Sequence, residues 1–125
     1  LTGGEPLLQV DQNLVNTLHS HQFEIAVETN ATKRPPENID WLCVSPKANA
    51  PLILDNGNEI KLVYPQANLT PEKVAHLEFD FYYLQPMDDA DPAVTQNNIK
   101  QAVEYCLQHP QWQLSLQTHK LLGID

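Results

Sequence analysis

The sequence predicts a single α/β domain with a mostly parallel sheet, covering residues 1–125. Short runs of β-branched and aromatic residues alternate with segments in which apolar residues recur every three or four positions. That alternation is typical of strands followed by helices. With 125 residues, of which 42% are hydrophobic, the chain has enough apolar side chains for one compact domain with its own core.

Three segments carry helix signals. Apolar periodicity predicts a first helix from about residue 6 to 21, with Pro6 in its first turn. Thr70 and Asp91 each precede a proline, and a capping side chain followed by a first-turn proline is typical of a helix start. These two signals predict a short helix to about His76 and a longer one to about His109.

Five segments between the helices are rich in strand-forming residues. They predict strands at residues 23–28, 41–44, 59–64, 79–84 and 112–116. Residues 48–58 are expected to be irregular, with a turn at Asp55-Asn56-Gly57.

Charge and cysteine content exclude several functional classes. The net charge of −9, with seven basic residues, argues against an extended nucleic-acid surface, which needs clustered Lys and Arg. No segment approaches the roughly 18 apolar residues of a membrane span. Cys43 and Cys106 lie far apart and have no zinc-type spacing. We therefore expect buried, reduced thiols, a cytoplasmic location and no metal ligand in this chain.

Polar or proline-bearing clusters follow nearly every predicted strand directly. In parallel α/β sheets the carboxyl ends of the strands meet at one edge, and ligand sites lie there. This pattern predicts a site at that edge, although polar loops alone would produce part of it. The clusters occupy residues 2–6, 28–30, 45–47, 85–89 and 117–120.

The clusters offer groups for binding a small ligand, and each also has a purely structural interpretation. Gly3 and Gly4 permit positive φ and close backbone approach, and Glu5 either receives a ligand ammonium group or stabilises a helix start. Residues 45–47 supply a hydroxyl, a rigid turn and a cation, which suit a carboxylate or a ribose. Residues 85–88 offer a flat apolar wall for a ring, or simply a proline turn.

The order of these motifs resembles one enzyme family. The chain contains, in order, TGGEP, ETN, VSPK, EIK, LQP and W-x-L-S-x-Q-T-H-K. GGEP after a strand is similar to the motif with which radical S-adenosylmethionine enzymes contact the cofactor's amino group. The whole series resembles the C-terminal portion of 7-carboxy-7-deazaguanine synthases, a family of that superfamily.

The resemblance implies a fold, a reaction and cofactors. The fold would be part of an incomplete TIM-like (β/α) barrel. The enzyme would be a lyase that converts 6-carboxy-5,6,7,8-tetrahydropterin to 7-carboxy-7-deazaguanine, on the route to queuosine and tRNA modification. The family uses S-adenosylmethionine, a 4Fe-4S cluster and Mg²⁺ and acts as a homodimer on its small pterin substrate. Neither nucleic acid nor a membrane is an expected partner.

The resemblance also implies site residues. The substrate would contact Thr2, His119 and the terminal carboxylate of Asp125, and Glu28 and Asn30 would line the cofactor site. No catalytic residue or metal ligand is assigned to this chain. S-adenosylmethionine would contact Gly4, Ser45, Pro46, Lys47, Gln85, Pro86, Met87 and Asp88.

Two departures from the family pattern bear on these expectations. Ala31 stands in ETNAT where the family often has glycine. If the position requires positive φ, the backbone conformation of alanine there would be unfavourable. The cluster-binding C-x3-C-x2-C motif and the Mg²⁺ ligand are not in this chain, and two distant cysteines cannot replace three clustered thiolates. We therefore predict that the chain alone is inactive and that its open sheet edge is covered by a partner or a swapped element.

Two alternatives remain open at this point. One is another radical S-adenosylmethionine enzyme, such as a glycyl-radical activase, which would share GGEP but lack the terminal QTHK block. The other is a non-catalytic α/β module that binds S-adenosylmethionine without iron.

Overall fold

A computed structural model describes residues 1–117 and 122–123. Within this part of the chain a five-stranded, all-parallel sheet has the order β1-β2-β3-β4-β5. The predicted α/β class and parallel sheet are confirmed, while closure into a TIM-like barrel remains a prediction. The strands are β1 (Ala26–Thr29), β2 (Trp41–Val44), β3 (Asn56–Tyr64), β4 (Glu78–Pro86) and β5 (Trp112–Leu114).

Three α-helices accompany the strands in this part of the chain: α1 (Gln12–Ser20), α2 (Pro71–Val74) and α3 (Pro92–Gln108). Both predicted proline starts are confirmed, because Thr70 and Asp91 occupy the N-cap positions and prolines follow them. The Asp91 side chain accepts a hydrogen bond from the Ala93 amide at 2.9 Å. None of the helices in the described residues has the length and apolar character that a membrane crossing requires.

Several predicted boundaries are wrong, and β1 begins at Ala26 rather than at residue 23. The helix expected from residue 6 to 21 is broken into a 3-10 turn at Pro6–Leu8 and α1. Asp11 causes the break, because its side chain caps α1 by accepting from the Leu14 amide at 2.8 Å. The turn expected at residues 55–57 is not formed, because β3 begins at Asn56, and Asn56 and Gly57 pair with β4.

One face of the sheet, the covered face, carries the hydrophobic core. Seven apolar strand residues of this face alternate with open-face residues along their strands and are at most 9% exposed. Val15 of α1 and Ala102 of α3 are fully buried, so helices supply apolar side chains to the interior. The covered face consists of Val27, Leu42, Val44, Ile60, Leu62, Leu84 and Trp112.

The opposite face, the open face, carries charged and aromatic side chains. Strand register places Glu28, Cys43, Glu59 and Phe81 in one row across four strands, and paired residues share a face. Trp41 and Phe81 remain 38% and 40% exposed, with ring centroids 6.0 Å apart. The open face consists of Ala26, Glu28, Trp41, Cys43, Glu59, Lys61, Phe81 and Tyr83.

The start of the chain lies against β1. The Leu1 nitrogen donates to the Ala26 carbonyl at 2.6 Å, and the Glu28 amide donates to the Leu1 carbonyl at 3.0 Å. This is the hydrogen-bond pattern of parallel neighbours. It delivers Thr2 and the two glycines that follow to the carboxyl end of β1.

Candidate functional site

The carboxyl ends of the parallel strands meet at one edge of the sheet, which we call the rim. Residues 2–6, 28–30, 45–47 and 85–88 lie there, because each follows or ends a strand of the same direction or, for residues 2–6, follows Leu1 beside β1. The predicted gathering of these clusters is thus confirmed for the described chain. His119 and Asp125, predicted to contact substrate, lie outside the described residues.

The Gly3-Gly4 turn leaves its backbone accessible. Gly3 has φ +84° and Gly4 has φ +57°, and beyond the two chain neighbours no atom lies within 4 Å of the position that a side chain would take at either residue. Positive φ favours glycine at both positions, and the open space lets a ligand approach the main chain. A cleft of about 350 Å³ runs along residues 1–6 and the beginning of α1.

Glu5 anchors this turn to the end of β1. Its Oε1 accepts from the Thr29 hydroxyl at 2.6 Å and from the Leu7 amide at 3.1 Å, and its Oε2 accepts from the Asn30 amide at 2.8 Å. Both carboxylate oxygens are therefore engaged inside the chain. The structural interpretation of Glu5 is favoured over direct contact with a ligand ammonium group, and the carboxylate holds the glycine turn in place.

Three neighbouring strands contribute a second polar group at the rim. Oε1 of Glu28 accepts from the Ser45 hydroxyl at 3.2 Å and lies 3.9 Å from the Lys61 ammonium nitrogen. The Ser45 amide also donates to the Thr29 carbonyl at 2.7 Å, which extends the β1–β2 ladder to the rim. Of the following residues, Pro46 is buried and Lys47 is exposed, so a rigid turn presents a cation at the surface.

The segment 85–88 forms the opposite part of the rim. Gln85 pairs with Val63 of β3 and is half-buried. The Met87 amide donates to the Tyr64 carbonyl at 2.8 Å, and the Met87 carbonyl accepts from the Asn98 side chain at 3.0 Å. Asp88 is exposed, and its Oδ1 lies 3.5 Å from the Thr95 hydroxyl.

Ala31 has positive φ, the conformation that is unfavourable for alanine and that glycine at this position of the family pattern would favour. Its φ is +64° and its side chain is fully buried. The Ala31 amide donates to the Thr29 hydroxyl at 3.1 Å, and its carbonyl accepts from the Ile53 amide at 3.0 Å. The position therefore requires positive φ, and two hydrogen bonds hold alanine in that conformation.

Most of the open-face groups beside the rim were not predicted as site residues from the sequence, and Glu28 is the exception. Glu28, Trp41, Cys43 and Glu59 line a cleft of about 200 Å³ that also reaches Thr2. Burial and a hydrogen bond to Glu59 raise the pKa of the Cys43 thiol to about 12. Alternation within each strand shows which of these side chains share a face. The register between strands, which brings them together, cannot be obtained from the sequence of any single strand.

The cysteines do not fit an iron–sulfur cluster. Cys43 lies in β2 and Cys106 in α3, both as free thiols. Within residues 1–117 and 122–123 no three His, Cys, Asp or Glu side chains come together as a metal site. A 4Fe-4S cluster needs more thiolates than this chain contains, so these two thiols cannot hold one.

Fold and rim together define an α/β protein whose candidate ligand site lies at the carboxyl ends of a parallel sheet, with a glycine turn at one side. The particular resemblance inferred from the motifs is confirmed by curated relatives named 7-carboxy-7-deazaguanine synthase. The chain is 55% identical to that of Bordetella pertussis and 56% identical to that of Bradyrhizobium diazoefficiens. These matches cover 98% and 99% of this chain.

More distant relatives carry the same name. The chain is 38% identical to the 7-carboxy-7-deazaguanine synthase of Bacteroides thetaiotaomicron, over 99% of this chain and 63% of that protein. The chain spans 57% and 58% of the Bordetella and Bradyrhizobium proteins. No protein-family model matches the chain.

Proposed function

We propose that the chain is the cofactor-binding part of a 7-carboxy-7-deazaguanine synthase and that its rim binds S-adenosylmethionine. The observation that carries this proposal is the likeness, above 50% identity over nearly the whole chain, to relatives of that name. The rim geometry supports it, because the glycine turn and the segments 45–47 and 85–88 lie at the edge where α/β sheets bind ligands. The reaction would be the ring contraction of 6-carboxy-5,6,7,8-tetrahydropterin to 7-carboxy-7-deazaguanine.

Each rim segment suits one part of S-adenosylmethionine. The accessible main chain at Gly4 would receive the amino group, since carbonyl oxygens accept from ammonium donors. The Ser45 hydroxyl and the Lys47 ammonium group suit the ribose and the carboxylate, and residues 85–88 would contact the ring system. Thr2, beside the open-face cleft, would contact the pterin, as would His119 and Asp125.

The cofactors would supply the radical chemistry, and this chain would bind and orient. Since its cysteines do not fit a 4Fe-4S cluster, the thiolates that hold the cluster, like the Mg²⁺ ligand, would come from outside this chain. We therefore propose that residues 1–125 alone do not catalyse the reaction. The intact enzyme would be a cytoplasmic homodimer acting on a small pterin, without nucleic acid or membrane partners.

The first experiment determines the intact mass and iron content of the protein as its source organism makes it, purified without oxygen. A mass well above 14.1 kDa with about four irons per chain is expected. Turnover of the carboxytetrahydropterin under reducing conditions then distinguishes this enzyme from a glycyl-radical activase. A mass equal to that of this chain, with no iron, would refute the enzyme and favour the non-catalytic module.

A second experiment tests the glycine turn. The variant Gly4→Val places a β-branched residue at positive φ and should abolish S-adenosylmethionine binding measured by calorimetry. Gly4→Asn is the matched control, because asparagine tolerates positive φ better than other side chains, and it should retain most of the affinity. If both variants and the unaltered protein bind S-adenosylmethionine with equal affinity, the glycine turn is not part of the cofactor site.

A further inference from the structure

The main chain of Met87 is held from two sides. Its amide donates to the Tyr64 carbonyl at the end of β3, at 2.8 Å. Its carbonyl accepts from the side-chain nitrogen of Asn98 in α3, at 3.0 Å. Because Met87 directly follows β4, these two bonds fix the direction in which the chain leaves the sheet at the rim.

Asn98 is an unusual side chain for its surroundings. It is 7% exposed. Among the described residues, the buried polar side chains are Asn98 and Thr29. One turn later the same helix buries Ala102. A buried amide is unfavourable unless it is hydrogen-bonded, so the bond to the Met87 carbonyl is the contact that makes asparagine suitable here.

Thr95, three residues before Asn98 and on the same side of α3, holds the next part of the segment. Its hydroxyl accepts from the Asp89 amide at 2.9 Å and lies 3.1 Å from the Asp89 carbonyl. The main chain on both sides of Asp88 is thus fixed by side chains of α3. Helix α3 determines the shape of this part of the rim.

We propose that Asn98 is a positioning residue for S-adenosylmethionine, acting through the main chain of Met87 rather than by touching the cofactor. The inference rests on the proposed function, in which residues 85–88 contact the ring system. A ligand that binds to main-chain groups needs them oriented beforehand, because ordering a loose segment at the moment of binding reduces affinity. Asn98 supplies that order before the cofactor arrives.

The test compares Asn98→Ala with the unaltered protein, purified without oxygen as its source makes it. Calorimetry with S-adenosylmethionine is expected to give about five- to tenfold weaker binding, as loss of one hydrogen bond that orders the site would produce. Amide hydrogen exchange at residues 87–89 without ligand is expected to become faster. Thr95→Val, an exchange of similar volume at a half-buried position, should give a smaller loss of about two- to threefold and guards against misfolding of the first variant.

Asn58→Ala is the matched control. Oδ1 of Asn58 accepts from the Leu42 amide at 2.7 Å, near the start of β2 and thus at the end of the sheet opposite the rim. The control also removes an asparagine side chain and one side chain–main chain hydrogen bond, in which Asn58 accepts rather than donates. It should lower stability without changing cofactor affinity.

Three results would overturn the inference. One is unchanged affinity in both Asn98→Ala and Thr95→Val. Another is an equal loss of affinity in Asn58→Ala, since the effect would then be one of general stability. The third is the absence of S-adenosylmethionine binding by the unaltered protein, which refutes the proposed function itself and is recognised before any variant is measured.

Discussion

The two faces of the sheet are built from the same strands and differ in what they contribute. On β3, Leu62 of the covered face is fully buried in the core, whereas the adjacent Lys61 of the open face reaches Glu28 at 3.9 Å. On β1, Val27 and Glu28 differ in the same way. Stability is thus concentrated on one face and polar chemistry on the other, and substitutions one residue apart should affect different properties.

The largest expected effect is the loss of Leu62. Truncation of a fully buried leucine leaves a cavity, so Leu62→Ala should lower the free energy of unfolding by about 3–4 kcal/mol. Lys61→Met keeps the side-chain stem and removes a partly exposed ion pair, so it should cost less than about 1 kcal/mol. Urea denaturation of both variants provides the measurement. Equal losses would show that the open face also carries the stability of the sheet.

The next effect concerns Ala31, which has positive φ and no exposed surface. Ala31→Val places a branched side chain in an unfavourable conformation and a filled space, and it should cost about 2 kcal/mol or more. In Ala31→Gly, relief of the backbone and loss of a buried methyl nearly cancel, so stability should change by less than about 1 kcal/mol. A thermal unfolding scan of both variants provides the measurement. An Ala31→Val variant as stable as the unaltered protein would contradict the positive φ of Ala31.

Glu5 provides an effect of intermediate size at the rim. In Glu5→Gln the new NH2 group must face either the Asn30 amide or the Leu7 amide, because one oxygen becomes a donor group and both main-chain amides can only donate. We expect a loss of about 1–2 kcal/mol in unfolding free energy. Glu24→Gln, at an exposed position, is the control and should change little. If the two variants behave alike, Glu5 does not anchor the glycine turn.

The reactivity of Cys43 tests whether the open face is shielded from solvent even though it carries charged side chains. Since the pKa of its thiol is raised to about 12 by burial and by Glu59, the thiolate should be scarce at pH 8. Iodoacetamide followed by peptide mass spectrometry should therefore label Cys43 more slowly than the half-buried Cys106. Glu59→Gln should accelerate the labelling of Cys43. Faster labelling of Cys43 than Cys106 in the unaltered protein would argue against this environment.

The smallest effect is a pH dependence at the exposed end of α1. Hydrogen bonds from His19 and from the Ile25 amide lower the pKa of the Asp40 carboxyl. A lowered pKa stabilises the fold above the ordinary value near 4 and loses that contribution as the pH falls through the lowered value. The difference in urea midpoint between the unaltered protein and Asp40→Asn should be present at pH 7 and shrink toward pH 3. A difference in urea midpoint that does not change with pH would show that ionisation of Asp40 does not contribute to stability.

Much of the fold follows from local signals in the sequence. Proline after Thr70 and Asp91 correctly predicted two helix starts, and β2 was predicted at its observed bounds. The helix break at Asp11 was missed, because apolar periodicity continued through a residue that also caps. The early start of β3 was missed because Asn56 and Gly57 favour turns, whereas pairing with β4 decided the outcome.

The site was predictable to the extent that it depends on strand ends. Parallel strands bring the rim clusters together wherever they lie in the sequence, so Gly4, Ser45 and Met87 could be grouped in advance. Contacts between separate elements could not be predicted, since the Glu28–Lys61 pair needs the register of three strands. Asn98 was missed for a similar reason, because an asparagine in a helix gives no sign of whether it is buried.

The lengths of the strand ladders have a consequence for motion. β3 and β4 pair along nearly their full length, from Asn56 with Glu78 to Tyr64 with Pro86, whereas the ladders that join β1 and β5 are short. Backbone amides in long central ladders open only with global unfolding, and those at short edges open locally. The middle of the sheet should therefore act as a rigid support, while the glycine turn beside β1, where the proposed ligand would bind, should open on a faster timescale.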